Sequence, residues 1–243
     1  MTPPLRVLVI DVGGTHVKVL ATGKTDPVKI PSGPTMSAAA MVAAVQKATQ
    51  GWRYDVVSIG YPSPVLHGRP VQEPVNLGKG WVGFDFERAF GHPVKLLNDA
   101  AMQALGSYDG GRMLFLGLGT GLGSAMIVDG ELEPMELGHL PYRKGRTYED
   151  YLGEKGRQKL GKKRWREQVF RVVKELQGAL EPGYVVLGGG NVRHLRSLPP
   201  GCRAGANANA FKGGFLLWKG SGVRATRPGT PRRTEGRATR PRS

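Results

Sequence analysis

Two glycine-rich turns about a hundred residues apart constrain this 243-residue chain more than any other feature. The first, Asp11-Val12-Gly13-Gly14-Thr15, follows the apolar run Leu5 to Ile10. The second, Gly117-Leu118-Gly119-Thr120-Gly121-Leu122-Gly123, lies between the apolar stretches 113–116 and 124–128. Each reads as strand, tight turn, strand. Glycine lets a backbone come close to a ligand, and successive N–H groups in such a turn cradle an anion. A phosphate chain held from both sides by two cradles is the geometry of a two-lobed phosphotransferase.

The pattern around the turns comes in two halves. In the first, residues 5–10, 16–21 and 28–30 read as a three-strand meander, 36–50 as a helix, 55–60 and 94–97 as strands, and 100–105 as a helix. A proline-rich loop spans 62–80. In the second half, strands at 113–116 and 124–128 flank the glycine turn, and Asp129-Gly130 is a tight-turn pair before Glu131. Helices are expected at 148–160, 165–180 and 207–218, with a strand at 184–187 that runs into Gly188-Gly189-Gly190-Asn191. A repeated order of this kind argues for an α/β chain of two related lobes with a cleft between them. The expected units are residues 1–108, 109–219 and a basic tail, 220–243. A single Rossmann fold competes poorly, because no Gly-x-Gly-x-x-Gly joins the first strand to a helix.

Composition narrows the setting. Hydrophobic residues make up 40% of the chain, and no apolar run reaches the roughly 18–20 residues of a membrane span. No signal peptide is visible, and the single cysteine, Cys202, excludes an internal disulfide and any multi-cysteine zinc site. A cytoplasmic protein with no membrane partner is expected. The formal net charge of +16 suggests a polyanionic partner. Residues 220–243 carry seven arginines and one glutamate, which leaves +10 on the rest. That tail has almost no apolar residues and is expected to be disordered. A nucleic-acid-binding arm rests on its charge alone.

Several side chains suit phosphoryl transfer. Asp11 ends the first strand, where it can hold Mg²⁺ or its water shell; Gly13, Gly14 and Thr15 offer N–H and hydroxyl donors; and Lys18 can bring a positive charge near the phosphates. Gly117, Gly119, Thr120, Gly121 and Gly123 form the second cradle. Asn98-Asp99 follows a strand and starts a helix, so Asp99 can take the proton of an attacking alcohol, although both residues also suit a helix N-cap. Glu136 and His139, in Glu136-Leu137-Gly138-His139, suit the vicinal hydroxyls of a sugar. The basic stretch from Lys155 to Arg166, with Arg171 and Lys174, either attracts a polyanion or is a solvated helix face.

Six segments together carry a resemblance: Asp11–Thr15, Asn76-Leu77-Gly78-Lys79-Gly80-Trp81, Leu97-Asn98-Asp99-Ala100, Gly117–Gly123, Glu136–His139 and Leu187–Asn191. The chain resembles the ROK family of sugar kinases over residues 5–218, and more narrowly its polyphosphate glucokinase branch. The resemblance implies a two-lobed actin-like (ribonuclease-H-like) α/β fold with a central cleft. It also implies transfer of a terminal phosphoryl group from polyphosphate or ATP to the 6-hydroxyl of a hexose, glucose by default, with Mg²⁺. Asp99 is then the catalytic base, and Asn98, Glu136 and His139 bind the sugar; Glu149 is either a further sugar ligand or a helix-start carboxylate. Gly188, Gly189 and Gly190 lie where adenosine or a polyphosphate chain would pass. A homodimer is implied too. Many family members carry a cysteine-rich zinc motif after the Glu-x-Gly-His segment. Here residues 141–147 hold no cysteine, so no zinc is expected. Repressor members carry an N-terminal winged helix, whereas this chain begins at the catalytic strand, so DNA repression and a nucleic-acid partner are not expected. A non-catalytic sugar or polyphosphate sensor, or a kinase for another hexose, is the competing reading.

Overall fold

The structure, a computed structural model, describes residues 4–206, 208–219 and the pair 224–225. The first half of the chain supplies β1 (Val7–Val12), β2 (His16–Ala21), β3 (Val28–Pro31), α1 (Ala38–Ala48), β4 (Val56–Tyr61), a small hairpin of β5 (Val65–Leu66) and β6 (Arg69–Pro70), α2 (Phe86–Phe90), β7 (Val94–Asn98) and α3 (Asp99–Ser107). The second half supplies β8 (Arg112–Leu118), β9 (Leu122–Val128), β10 (Glu131–Met135), α4 (Tyr148–Leu152), α5 (Glu154–Leu180), β11 (Tyr184–Gly188), β12 (Cys202–Ala204), α6 (Asn209–Leu216) and β13 (Arg224–Ala225).

The two halves form two sheets of the same topology. The first runs β3-β2-β1-β4-β7, with β1, β2 and β3 antiparallel and β4 and β7 parallel to β1. The second runs β12-β11-β8-β9-β10-β13, and its first five strands repeat that order and those directions. The expected duplication is therefore present. β13 adds a parallel pair beside Glu131 and Leu132. Apart from it, the expected basic tail lies outside the described residues.

Both faces of each sheet are covered, which is why β1 and β8 are near-continuous apolar runs. Leu8, Ile10 and Val12 of β1 pack with Met41, Val42 and Val45 of α1, while Val7 and Val9 pack with Ala210 and Phe211 of α6. In β8, Leu114, Leu116 and Leu118 pack with Trp165, Val169, Val172 and Val173 of α5. Met113 and Phe115 of β8 pack with Ala100, Ala101 and Ala104 of α3. The helices between the sheets are thus partly exchanged: α3, which follows the first sheet in sequence, packs its alanines on the second and Met102 on the first, and α6 lies on the first.

The expected helices at 148–160 and 165–180 are divided differently. The chain turns extended at Gly153, and α5 runs on from Glu154 to Leu180 with a break at Gly161, whose φ is 73°. The helix at α2 and the short strands β5, β6 and β12 were not legible in the sequence pattern.

Candidate active site

Strand alternation decides which side chains reach the space between the sheets. Asp11 lies on the same face of β1 as Val7 and Val9, toward the exchanged helices. Its Oδ2 accepts from Lys18 Nζ at 3.1 Å, from the position directly opposite on β2, and its side chain is 15% exposed. The positive charge of Lys18 is thus held on the Asp11 carboxylate.

Asp99 begins α3 at the end of β7. Asn98 caps this helix: its Oδ1 accepts from the N–H groups of Ala100 and Ala101 at 2.9 and 3.3 Å, and its Nδ2 donates to the Ser63 carbonyl at 3.3 Å. Asp99 Oδ1 accepts from the Ala100 N–H at 2.7 Å. Burial, then the charge of Asp11, then that of Glu136, push the Asp99 carboxyl up to about 7. Three carboxylates from three elements therefore share one electrostatic neighbourhood. The second turn backs this helix start closely: a Cβ on Gly123 would lie 2.7 Å from that of Ala100.

Each glycine turn uses part of its N–H set internally. Gly13 donates to the His16 carbonyl and Gly119 to that of Gly121, both at 3.1 Å. The N–H of Leu122 donates to Glu149 Oε2, also at 3.1 Å. The N–H groups of Gly14, Thr15, Thr120 and Gly121 have no hydrogen-bond partner among the described residues. Gly117 and Gly188 stand opposite each other where β8 and β11 end, and Asn191 Nδ2 donates to the Gly119 carbonyl at 3.0 Å. The Glu154 N–H donates to the carbonyls of Gly119 and Thr120. The run Gly188-Gly189-Gly190 is thereby stitched to the second turn.

Glu136 precedes a 3-10 turn, Leu137–His139. Buried Ser124 of β9 fixes that turn, donating to the Met135 carbonyl at 2.8 Å and accepting from the Leu137 N–H at 3.0 Å. Sequence reasoning missed Ser124; its signal is a lone hydroxyl in the apolar run Ser124–Val128. His139 Nδ1 stands 4.0 Å from Glu136 Oε2, with both side chains exposed. Partial shielding from water, with the nearby charge of Glu149, raises the Glu136 carboxyl above its ordinary range against the pull of His139. Glu149 sits in the first turn of α4, whose start is closed by a reciprocal Thr147–Asp150 capping box. Most of the basic stretch (Lys155, Lys159, Lys162, Lys163, Arg164, Arg171 and Lys174) is exposed, while Arg157 and Arg166 are half-buried. Among the described residues, no three or more His, Cys, Asp or Glu side chains gather as a metal cage.

Two duplicated sheets with helices between them, and at a helix start beside the glycine turns a carboxylate that burial and neighbouring charges push up to about 7, define a two-lobed actin-like phosphotransferase. By sequence, the chain is 32% identical over 204 residues to the polyphosphate glucokinase of Mycobacterium tuberculosis, covering 74% of this chain and 76% of that protein. It is 30% identical over 204 residues to the polyphosphate glucokinase of Mycobacterium leprae, covering 74% of this chain and 62% of that one. The chain belongs to the polyphosphate glucokinase family. No family model matches it. In fold it is similar to the inorganic polyphosphate/ATP-glucomannokinase of Arthrobacter sp. strain KM, with a TM-score of 0.71, 23% identity, and coverage of 88% of this chain and 98% of that one. It is also similar to a ROK family glucokinase from Streptomyces griseus solved with glucose and AMPPNP, with a TM-score of 0.66, 18% identity, and coverage of 87% and 98%.

Proposed function

We propose that this chain is a glucokinase that moves the terminal phosphoryl group of polyphosphate or ATP onto the 6-hydroxyl of glucose, with Asp99 as the base. The names of its relatives support the reaction, and the observation that carries the site assignment is the Asp99 carboxyl. It sits at a helix start between two glycine turns, half-buried, and is pushed up to about 7 by burial and by Asp11 and Glu136. A base tuned near neutral pH can take the hydroxyl proton as oxygen attacks phosphorus and still release it afterwards.

In this reading the two turns, Gly13-Gly14-Thr15 and Gly117 to Gly123 with Gly119, Thr120 and Gly121 at its tip, hold the donor through the free N–H groups of Gly14, Thr15, Thr120 and Gly121. Asn98, through its second amide hydrogen, and Glu136, His139 and Glu149 hold the sugar hydroxyls. Mg²⁺ fits Asp11: one of its oxygens lies on Lys18, the other has no partner among the described residues, and Mg²⁺ favours one or two carboxylates completed by phosphate and water. When bound, the ion would neutralise charge developing on the donor's leaving phosphate. Closure of the two lobes, one built on each sheet with α6 carried by the first, excludes water, a competing nucleophile. We further place the protein in the cytoplasm as a homodimer; among the described residues no helix is long and apolar enough to cross a membrane.

The test is formation of glucose 6-phosphate by purified protein with Mg²⁺, comparing long-chain polyphosphate with ATP at equal phosphate concentration. Product with either donor upholds the reaction, and the two rates rank the donors. No product from either donor across several hexoses would overturn it in favour of a sensor.

A further inference from the structure

Beyond the second glycine turn, four cations gather about His194. Gly119 is tied to Glu154 and to Asn191. Glu154 is gripped by Arg157 through two hydrogen bonds, and Asn191 leads into the 3-10 turn Gly190–His194. The carbonyl of His194 accepts from Arg166 Nε at 2.6 Å, and its Nε2 lies 3.4 Å from Arg193 Nε. The break at Gly161, with a φ that favours glycine, restarts α5 at Lys162, one helical turn before Arg166 and on the same face as it.

The members of this cluster differ in their commitments. Arg157 is engaged with Glu154, and Arg166 with the His194 carbonyl. Lys162 and Arg193 are exposed, and among the described residues neither pairs with a carboxylate. Burial, with the charges of Arg157, Arg193 and Lys162, lowers His194 below the ordinary imidazole range. A phosphate oxygen placed there would be attracted by the same field that repels a proton. Charge-assisted hydrogen bonds from guanidinium or ammonium to phosphate are the strong ones.

We infer that Lys162 and Arg193 form a subsite for the distal phosphates of a polyphosphate chain whose terminal phosphate lies at the second glycine turn. This rests on the donor reading above and adds which residues distinguish the two donors. Polyphosphate carries its charge onward past the turn, whereas ATP has three phosphates and then an uncharged nucleoside. The subsite therefore bears on chain binding and leaves the reacting centre alone.

The experiment compares the parent with Lys162→Ala/Arg193→Ala, using long-chain polyphosphate, tripolyphosphate and ATP as donors. We expect KM for long-chain polyphosphate to rise about tenfold or more, with kcat within about twofold and KM for ATP within about twofold. The slope of log KM against log salt should fall by about 1–2, since two cation–phosphate contacts are lost. The charge-keeping pair Lys162→Arg/Arg193→Lys should restore most of the affinity. An unchanged KM for long-chain polyphosphate overturns the inference, and so does an equal rise for ATP, which would mean that the second turn had been disturbed. If the parent makes no product from polyphosphate, the donor reading fails, and direct binding of the same long-chain polyphosphate decides the subsite. Weaker binding by the double variant upholds it, and equal binding overturns it.

Discussion

Asp99 joins function to stability at the scale of one residue. Its folded value of about 7 stands well above the ordinary 3.8. Between those pH values the folded chain holds a proton that the unfolded chain has released, so stability falls as pH rises from about 4 to 7 and stays lower above. The loss is on the order of a few kcal/mol. Asp99→Asn keeps the acceptor for the Ala100 N–H and removes the titration. We expect it to lose about 10²–10⁴-fold in kcat while binding glucose normally. It should also melt at a higher temperature than the parent at pH 8 and at nearly the same temperature at pH 4. Near-parental turnover would remove Asp99 as the base, and an unchanged melting difference across that range would remove the burial argument. In the parent, kcat/KM should fall about tenfold per pH unit below about 7. Asp99 was legible because strand, Asn-Asp and helix follow one another in the sequence. That Lys18 pairs with Asp11 was not, since it depends on which residues of β1 and β2 stand opposite each other.

At the scale of elements, two arrangements stand out. The start of α3 rests against Gly123, where a methyl group would meet the Cβ of Ala100. Gly123→Ala should displace the residues beside Asp99 and cost about 1–3 kcal/mol by overpacking. Its kcat should fall more than its KM for glucose rises, as steady-state kinetics would read. The segment 141–147 is the other. There Tyr142 packs against Tyr148 and Tyr151, with ring centroids 4.9 and 5.1 Å apart. Tyr142 also donates to Gln168 Oε1 at 3.1 Å. The rings tie the loop to α4, which carries Glu149. Tyr142→Ala should lose about 2 kcal/mol and raise KM for glucose, and Tyr142→Phe should restore most of both, as melts and kinetics would check. Glycine turns and apolar runs made most strands readable. Helix ends were less so: Gly153 and Gly161 both interrupt the region, and a pattern of charges and apolar spacing does not say which of them breaks the chain fully.

At the scale of the whole molecule, the exchange of α3 and α6 matters most, and local sequence could not show it. The alanines of α3 fit either sheet, and only packing of the complete chain assigns them. The two helices cross through Gly106 and Gly213: a Cβ on the first would strike the Asn209 carbonyl, and one on the second the Met102 carbonyl. α6 is anchored to the first sheet by Ser58, whose Oγ donates to the Gly214 carbonyl at 2.7 Å, and by Lys95 Nζ, which donates to the Leu217 carbonyl at 2.7 Å. Asp99 stands at the joint itself: it follows directly on β7 of the first sheet and begins a helix whose alanines pack on the second. Any rotation between the sheets must be accommodated at this crossing, on the helix that Asp99 begins. Gly213→Ala should wedge the helices apart at about 1–3 kcal/mol. The folded variant should lose the contraction on adding glucose that small-angle scattering would record in the parent, and lose kcat in parallel. A variant that contracts normally yet has lost its turnover would place the joint elsewhere and leave the crossing a purely structural contact.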